Sequence, residues 1–390
     1  MESRARRHRG WLWGSVGALV VLVAVGASVR APVKDWWLAR EACGGELPGD
    51  DLKTVRTDVR LGSEKESFDG ELGSYHCVLT SDLGKVVVAV DTYPAGSERD
   101  EELAFAARSY APHAVLPGGL PGFEDEHSRV LLMPECPRGG KGSSGKPRRL
   151  LVGTWAYFAE SREEKAAMLR LAVRMTNVVT GKLGCGGEPL PAPEDGAVPD
   201  TGTYVPRAGA KGTACEALAT TRVPAEGRDG KVRIAVADGG IVGRCTLHAP
   251  GEGSDGSKPG RPLVELTSWR GDWGTASRET GSGTDPLSGA SSTREPVLTD
   301  SLAWAAATCG GEDVGFAAHW GEDYSYRKAG KPSATPTDPP TDPPTDPPTG
   351  PPTAAERNER RALLGEYVTA FAKDQVRRGA CTGLRLPTHP

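Results

Sequence analysis

Eight cysteines fall into two groups of four, and the text around them repeats. Cys43, Cys77, Cys136 and Cys185 are answered by Cys215, Cys245, Cys309 and Cys381. Gly-Lys-Val-Val-Val-Ala-Val-Asp-Thr-Tyr (84–93) matches Gly-Arg-Pro-Leu-Val-Glu-Leu-Thr-Ser-Trp (260–269). Ser128 and Ser301 each stand eight residues before a cysteine and head an apolar run; Val152-Gly153 matches Val314-Gly315. The duplication predicts two tandem copies of one stapled domain. An even count of cysteines in this setting predicts disulfides and an oxidising compartment. No Cys-x-x-Cys pair occurs, so no zinc site is expected.

The start of the chain adds a topology. Trp11 to Val29 is an uncharged run of 19 residues. At about 1.5 Å per residue a helix there spans roughly 28 Å, enough for a hydrocarbon core. Arg4, Arg6, Arg7 and Arg9 precede it, which predicts a cytoplasmic basic tail at 1–10, a transmembrane helix at 11–29 and everything later outside. Trp11 and Trp13 mark one interface, Trp36 and Trp37 the other. A cleaved signal peptide competes, because Val25-Gly26-Ala27 passes as a small-residue cleavage site. The expected location is the cell membrane, single-pass, with an extracytoplasmic C-terminus and the lipid bilayer as partner of residues 11–29.

Composition narrows the partners. Two Ile and two Asn against 51 Gly and 32 Pro give the bias of a high-G+C genome. Five Arg and one Glu in the first 30 residues leave the remainder at −8 within a net charge of −4. An acidic ectodomain lacks the basic footprint of a nucleic-acid binder.

Within the first copy, at 40–190, Lys85–Tyr93 reads as a strand, and Ser97 can cap a short helix through Tyr110. Val130–Glu135 and Leu150–Phe158 read as a hairpin. Glu163–Leu183 has helical spacing, with Met168, Leu171, Ala172, Met175 and Val179 on one face. A linker at 191–210 leads to the second copy at 211–386. Its last helix, about Ala355–Arg378, places Leu364, Tyr367, Val368 and Phe371 where the first has Met168, Leu171, Ala172 and Met175. The predicted fold is α+β: in each copy a small antiparallel sheet with one long helix packed on a face, behind the single transmembrane helix. Residues 332–353 interrupt the second copy. They hold ten Pro and six Thr, which predicts a disordered or polyproline II insertion inside the domain.

Each copy allows three disulfide connectivities. The helix returns antiparallel to the last hairpin strand, which brings its tip to the cysteine closing the first. The favoured pairs are therefore Cys136–Cys185 and Cys309–Cys381, leaving Cys43–Cys77 and Cys215–Cys245.

The search for chemistry finds no Gly-x-Ser-x-Gly, no His-Glu-x-x-His, no P-loop and no strand–glycine turn–helix dinucleotide fingerprint. Cys245-Thr-Leu-His248 has ligand-like spacing, but the disulfide claims Cys245. Phe123-Glu-Asp-Glu-His127 is an acidic cluster that could hold a cation, but the turn text before it favours an exposed loop. No metal or cofactor is expected. The tryptophans are the better lead. Alternation along Leu263–Trp269 sets Trp269 on the polar face with Glu265 and Thr267. Trp273 follows in a Gly-rich turn. Exposed there, Trp269 and Trp273 would form an aromatic platform for a cell-wall glycan or another envelope protein; the competing reading is that these rings pack in the core or under loops.

Cys43-Gly-Gly-Glu-Leu-Pro48 and Cys77-Val-Leu-Thr80 resemble the opening of actinobacterial membrane-anchored cell-envelope proteins. The likeness covers about a third of each copy and weakens in the second, which lacks the two glycines after its first cysteine. It implies an extracytoplasmic location and no particular activity. The expected function is a non-catalytic binding or scaffolding protein of the bacterial cell envelope. The alternative is an envelope enzyme acting on wall polymer through no recognisable motif.

Overall fold

The computed structural model describes residues 33–56, 58–70, 73–93, 99, 102, 114–125, 127–141, 147–157, 159–237, 240–251, 259–271, 295–321 and 353–388. The expected transmembrane helix at 11–29, most of the Ser97–Tyr110 helix and the tract at 332–353 lie outside them, Thr353 excepted. Among the described residues no helix is long and apolar enough to cross a membrane.

After a helical stretch at 33–41, the first copy forms helix α1 (Gly49–Arg56), then strands β1 (Leu61–Asp69), β2 (Ser74–Ser81), β3 (Val86–Tyr93), β4 (Ala114–Val115), β5 (Gly122–Glu124), β6 (Val130–Leu132), β7 (Glu135–Lys141), β8 (Pro147–Arg149) and β9 (Leu151–Trp155), then helix α2 (Arg162–Lys182). The second forms β10 (Thr203–Pro206), helix α3 (Glu216–Thr220), β11 (Lys231–Val236), β12 (Val242–His248), β13 (Pro262–Arg270), β14 (Val297–Leu298), β15 (Leu302–Cys309), β16 (Glu312–Trp320), helix α4 (Ala354–Arg378) and β17 (Thr382–Arg385).

The strands make three sheets. Seven run in the order β1-β2-β3-β9-β6-β5-β4; eight run β10-β11-β12-β13-β16-β15-β14 with β17 on β15; β7 and β8 pair separately. The order β1-β2-β3-β9-β6 has its counterpart in β11-β12-β13-β16-β15. This corrects the predicted fold class. The molecule is mostly sheet, and the main sheet of each copy is large, with seven and eight strands, not a small platform for one helix. Short edge strands such as β4 and β14 are too brief to carry a pattern in the sequence. The charged β1 carries no apolar alternation, since only Leu61 along it is buried.

Each long helix covers the outer face of its sheet. Both begin with a capping box. Ser161 accepts from the Glu164 amide and Glu164 accepts from the Ser161 amide; Thr353 and Glu356 do the same. Met168, Leu171, Ala172 and Met175 are buried against the first sheet, and Leu364, Tyr367, Val368 and Phe371 against the second. Phe371 meets Phe316 edge-on at 6.1 Å. The residue before each closing cysteine, Gly184 or Ala380, takes a left-handed turn that ends the helix.

The inner faces pack on one another. Phe123, Leu131, Met133 and Leu151 of the first sheet form one buried cluster with Ile241, Val242, Trp269, Leu302, Trp304 and Ala317 of the second. The order of layers is helix, sheet, sheet, helix. Both faces of the second sheet are therefore covered, and β12 is buried at every position. Gly315 is required here: a Cβ on it would lie 2.0 Å from the Trp304 ring, which is laid across the strand. The two copies are also joined at their margins. Val115 exchanges backbone hydrogen bonds of 3.0 and 2.8 Å with Asp200 of the connecting segment, just before β10, and Arg149 donates to Glu312 of the second copy at 2.8 Å.

Candidate functional site

All eight cysteines are paired, as Cys43–Cys77, Cys136–Cys185, Cys215–Cys245 and Cys309–Cys381. These are the pairs the strand and helix directions favour. Four disulfides suit an oxidising, extracytoplasmic environment. Glu64 stands beside Cys43 and Cys77, but both sulfurs are bonded to each other. Its carboxylate instead accepts from the Cys43 amide at 2.6 Å, holding that residue in its left-handed conformation.

The structure places Trp269 in the seam between the sheets, at 3% exposure. The strand alternation is as expected, with Glu265, Thr267 and Trp269 on one face. That face meets the other copy and not solvent. Trp269 contacts Phe123 edge-on at 5.9 Å and donates from Nε1 to Thr267 at 3.0 Å. It is no exposed platform. Trp304 and Trp320 are buried as well. Trp273 lies outside the described residues.

Beyond the tryptophans the same face becomes ionic. Glu265, Arg244, Arg233 and His248 are all buried. Cross-strand pairing sets Arg244 opposite Thr267, and Glu265 between Thr246 and His319. Arg244 is hydrogen-bonded to Glu265, and His319 Nε2 lies 3.6 Å from the same carboxylate. Burial alone would raise the Glu265 carboxyl; Arg244 and then His319 outweigh it and hold the group below its ordinary range. Arg233 donates to the Thr201 carbonyl. Sequence reasoning missed this group, although Arg244 and Glu265 on neighbouring strands were a signal for it.

His248 donates from Nδ1 to the Gly260 carbonyl at 2.9 Å, and its Nε2 has no hydrogen-bond partner among the described residues. Burial pushes its pKa down, only partly offset by that carbonyl, and Arg233 and Arg244 push the same way. A histidine whose folded pKa lies below its unfolded value, about 6.5, stabilises the fold above that value. The contribution is lost as pH falls through the folded pKa. The melting temperature is therefore expected to drop on acidification below about pH 6.5. A His248→Gln variant should flatten that dependence; an unchanged slope would assign the acid lability to other groups.

The Phe123–His127 text is corrected too. Glu124 and Asp125 are buried, not exposed. Asp125 accepts from the amides of His127 and Arg129, each at 2.9 Å, and from Arg129 Nε at 3.0 Å. Lys165 on α2 reaches Glu124 at 3.3 Å. Glu126 lies outside the described residues. An open cleft of about 770 Å³ lies between α1 and the start of α2. Asp50, Asp51, Arg162, Glu163, Arg170 and Asp195 line it, and Arg170 holds Asp51 through two hydrogen bonds of 2.8 and 2.6 Å.

No protein-family model, curated protein or solved structure matches this chain.

Proposed function

We propose that this protein is a non-catalytic binding or scaffolding component of the bacterial cell envelope, tethered to the lipid bilayer through residues 11–29. The observation that carries the reading is the double use of the sheets. The second sheet gives one face to its own helix and the other to the sister copy, and the first gives one face to its helix and the β5, β6 and β9 part of the other to the same seam. Four disulfides then fix the chain on itself. A stapled block of this kind serves to hold surfaces at fixed positions. The tandem cysteine text and its resemblance to actinobacterial envelope proteins support the same location. The partner is a cell-wall glycan or another envelope protein, met on the outer surfaces.

The envelope-enzyme alternative has its best footing in the open cleft at Asp51, Glu163 and Asp195, where Arg170 already engages one carboxylate. The test separates the two. Purified protein is incubated with isolated cell wall, and both retention on the wall and release of soluble fragments are measured. Retention without release is expected. Release of fragments, abolished by Glu163→Gln or Asp195→Asn, would replace the scaffold with a hydrolase.

A further inference from the structure

Seven large hydrophobic side chains stand exposed among the described residues, and five of them gather at one end of the first sheet: Val33, Trp36, Trp37, Leu83 and Tyr157. Trp36 is 60% exposed, Trp37 53% and Leu83 81%.

Backbone connections put them together. Asp35, on the helical stretch at 33–41, accepts from the Leu61 amide at 2.7 Å and from Arg56 at 2.9 Å. This docks the stretch at the start of β1. Leu61 pairs with Ser81 at the end of β2, and the turn that follows carries Leu83. Lys85 leaves that turn, and its Nζ stands 4.9 Å from the centre of the Tyr157 ring, just past β9. The exposed Phe68 lies at the far end of β1, roughly 23 Å away at about 3.3 Å per residue.

Exposed apolar side chains gathered on one surface mark an interaction site. The occupant follows from the chain itself. Val33 comes four residues after Val29, where the uncharged 19-residue run ends. The segment most suited to lipid therefore arrives at this rim. Tryptophan and tyrosine rings with neighbouring Lys and Arg are the side chains that settle at headgroup level. Lys34, Arg40, Arg60 and Lys85 are exposed here, as are Glu41, Asp58, Asp82 and Glu160. The charges balance, so insertion of rings and aliphatic groups, not attraction to anionic lipid, supplies the contact.

We propose that this end of the first copy rests on the lipid surface, with Trp36, Trp37, Leu83 and Tyr157 at headgroup depth. The contact would set the first copy end-on to the membrane. The proposal rests on the tethering given above.

All eight native cysteines are bonded, which permits single-site labelling. The full chain carrying Leu83→Cys, or Tyr157→Cys as a second rim position, is labelled with an environment-sensitive fluorophore. It is then incorporated into phosphatidylcholine vesicles. Lipids brominated near the headgroup are expected to quench the probe at 83 and at 157, in low and high salt alike. A probe at Phe68→Cys is expected to keep its emission. Protein that floats with the vesicles but shows no quenching at 83 or 157 would overturn the docking and leave the tether standing. Quenching at 68 as well would mean that the molecule lies flat, which also overturns it. Protein that fails to float with the vesicles would remove both proposals.

Discussion

Replacing Trp269 with alanine is expected to lower the unfolding free energy by roughly 3–5 kcal/mol, the range for removing a large aromatic from a packed interior. The indole lies between two sheets that are each hydrogen-bonded along their length, and neither strand layer can close in on the space. Phe123 comes from the other copy, Val242 is the cross-strand neighbour on β12, and Gly315 leaves the β16 side open for rings. The cost therefore falls on the contact between copies as well as on the second copy. Trp269→Phe keeps most of the volume and gives up the hydrogen bond to Thr267, and should cost far less. Denaturant melts followed by fluorescence and by far-ultraviolet circular dichroism measure both. If Trp269→Ala unfolds at the wild-type midpoint, the ring is not packed between the copies, and the helix–sheet–sheet–helix order is wrong.

That ring also marks where the sequence stopped being informative. Its position on the strand was legible, because side chains alternate with a period of two. What covers that face was not. Glu265 and Thr267 flank it, and polar neighbours argue for solvent unless a partner is known. The partner, Arg244, sits 21 residues earlier on the next strand. Buried charges appear in a sheet when they are paired, so the polar pattern and the burial agree only after the strands are assembled. A weaker clue was available. Ala305, Ala306, Ala307, Gly315, Ala317 and Ala318 fill β15 and β16, and so many small residues on adjacent strands suit a sheet closely covered on both sides.

The helices were legible for the opposite reason. Their signals are local. The boundaries of α2 and α4 fall within one residue of the sequence estimate, because a 3.6-residue apolar period and a closing cysteine agree within one segment, and the structure adds a capping box at the start of each. The disulfide pairs were legible once helix direction was known, since an antiparallel return fixes which cysteines meet. The short strands were lost because two or three residues cannot show a period. Chain text identified Cys309 and Cys381 as partners across the Pro/Thr tract, and the described residues on either side of that tract belong to one sheet and the helix upon it.

The bridge between Cys309 and Cys381 has the largest sequence separation of the four, at 72 residues. On the chain-entropy account, closing so long a loop removes roughly 4 kcal/mol of unfolded-state freedom. The double variant Cys309→Ser with Cys381→Ser is expected to lose about that much stability. Cys215–Cys245 spans 30 residues, and its removal should cost roughly 0.8 kcal/mol less by loop length alone. The difference has a structural counterpart. Everything from Trp320 to Thr353 separates α4 from the sheet that it covers. Without the bridge the helix is returned to its place by non-covalent contacts: the packing of Leu364, Tyr367, Val368 and Phe371, the short β17 pairing to β15, and the hydrogen bonds of Gln375 to Ala214 and of Arg378 to Thr213. Urea melts of the two double variants test the ranking. Limited proteolysis supplies a second readout: a cut between residues 332 and 352 should leave one species on a non-reducing gel and two after reduction. If the nicked protein separates without reductant, the bridge is not formed in solution. If the variant lacking it melts like the wild type, docking of α4 does not depend on covalent return, and packing alone holds the second copy closed.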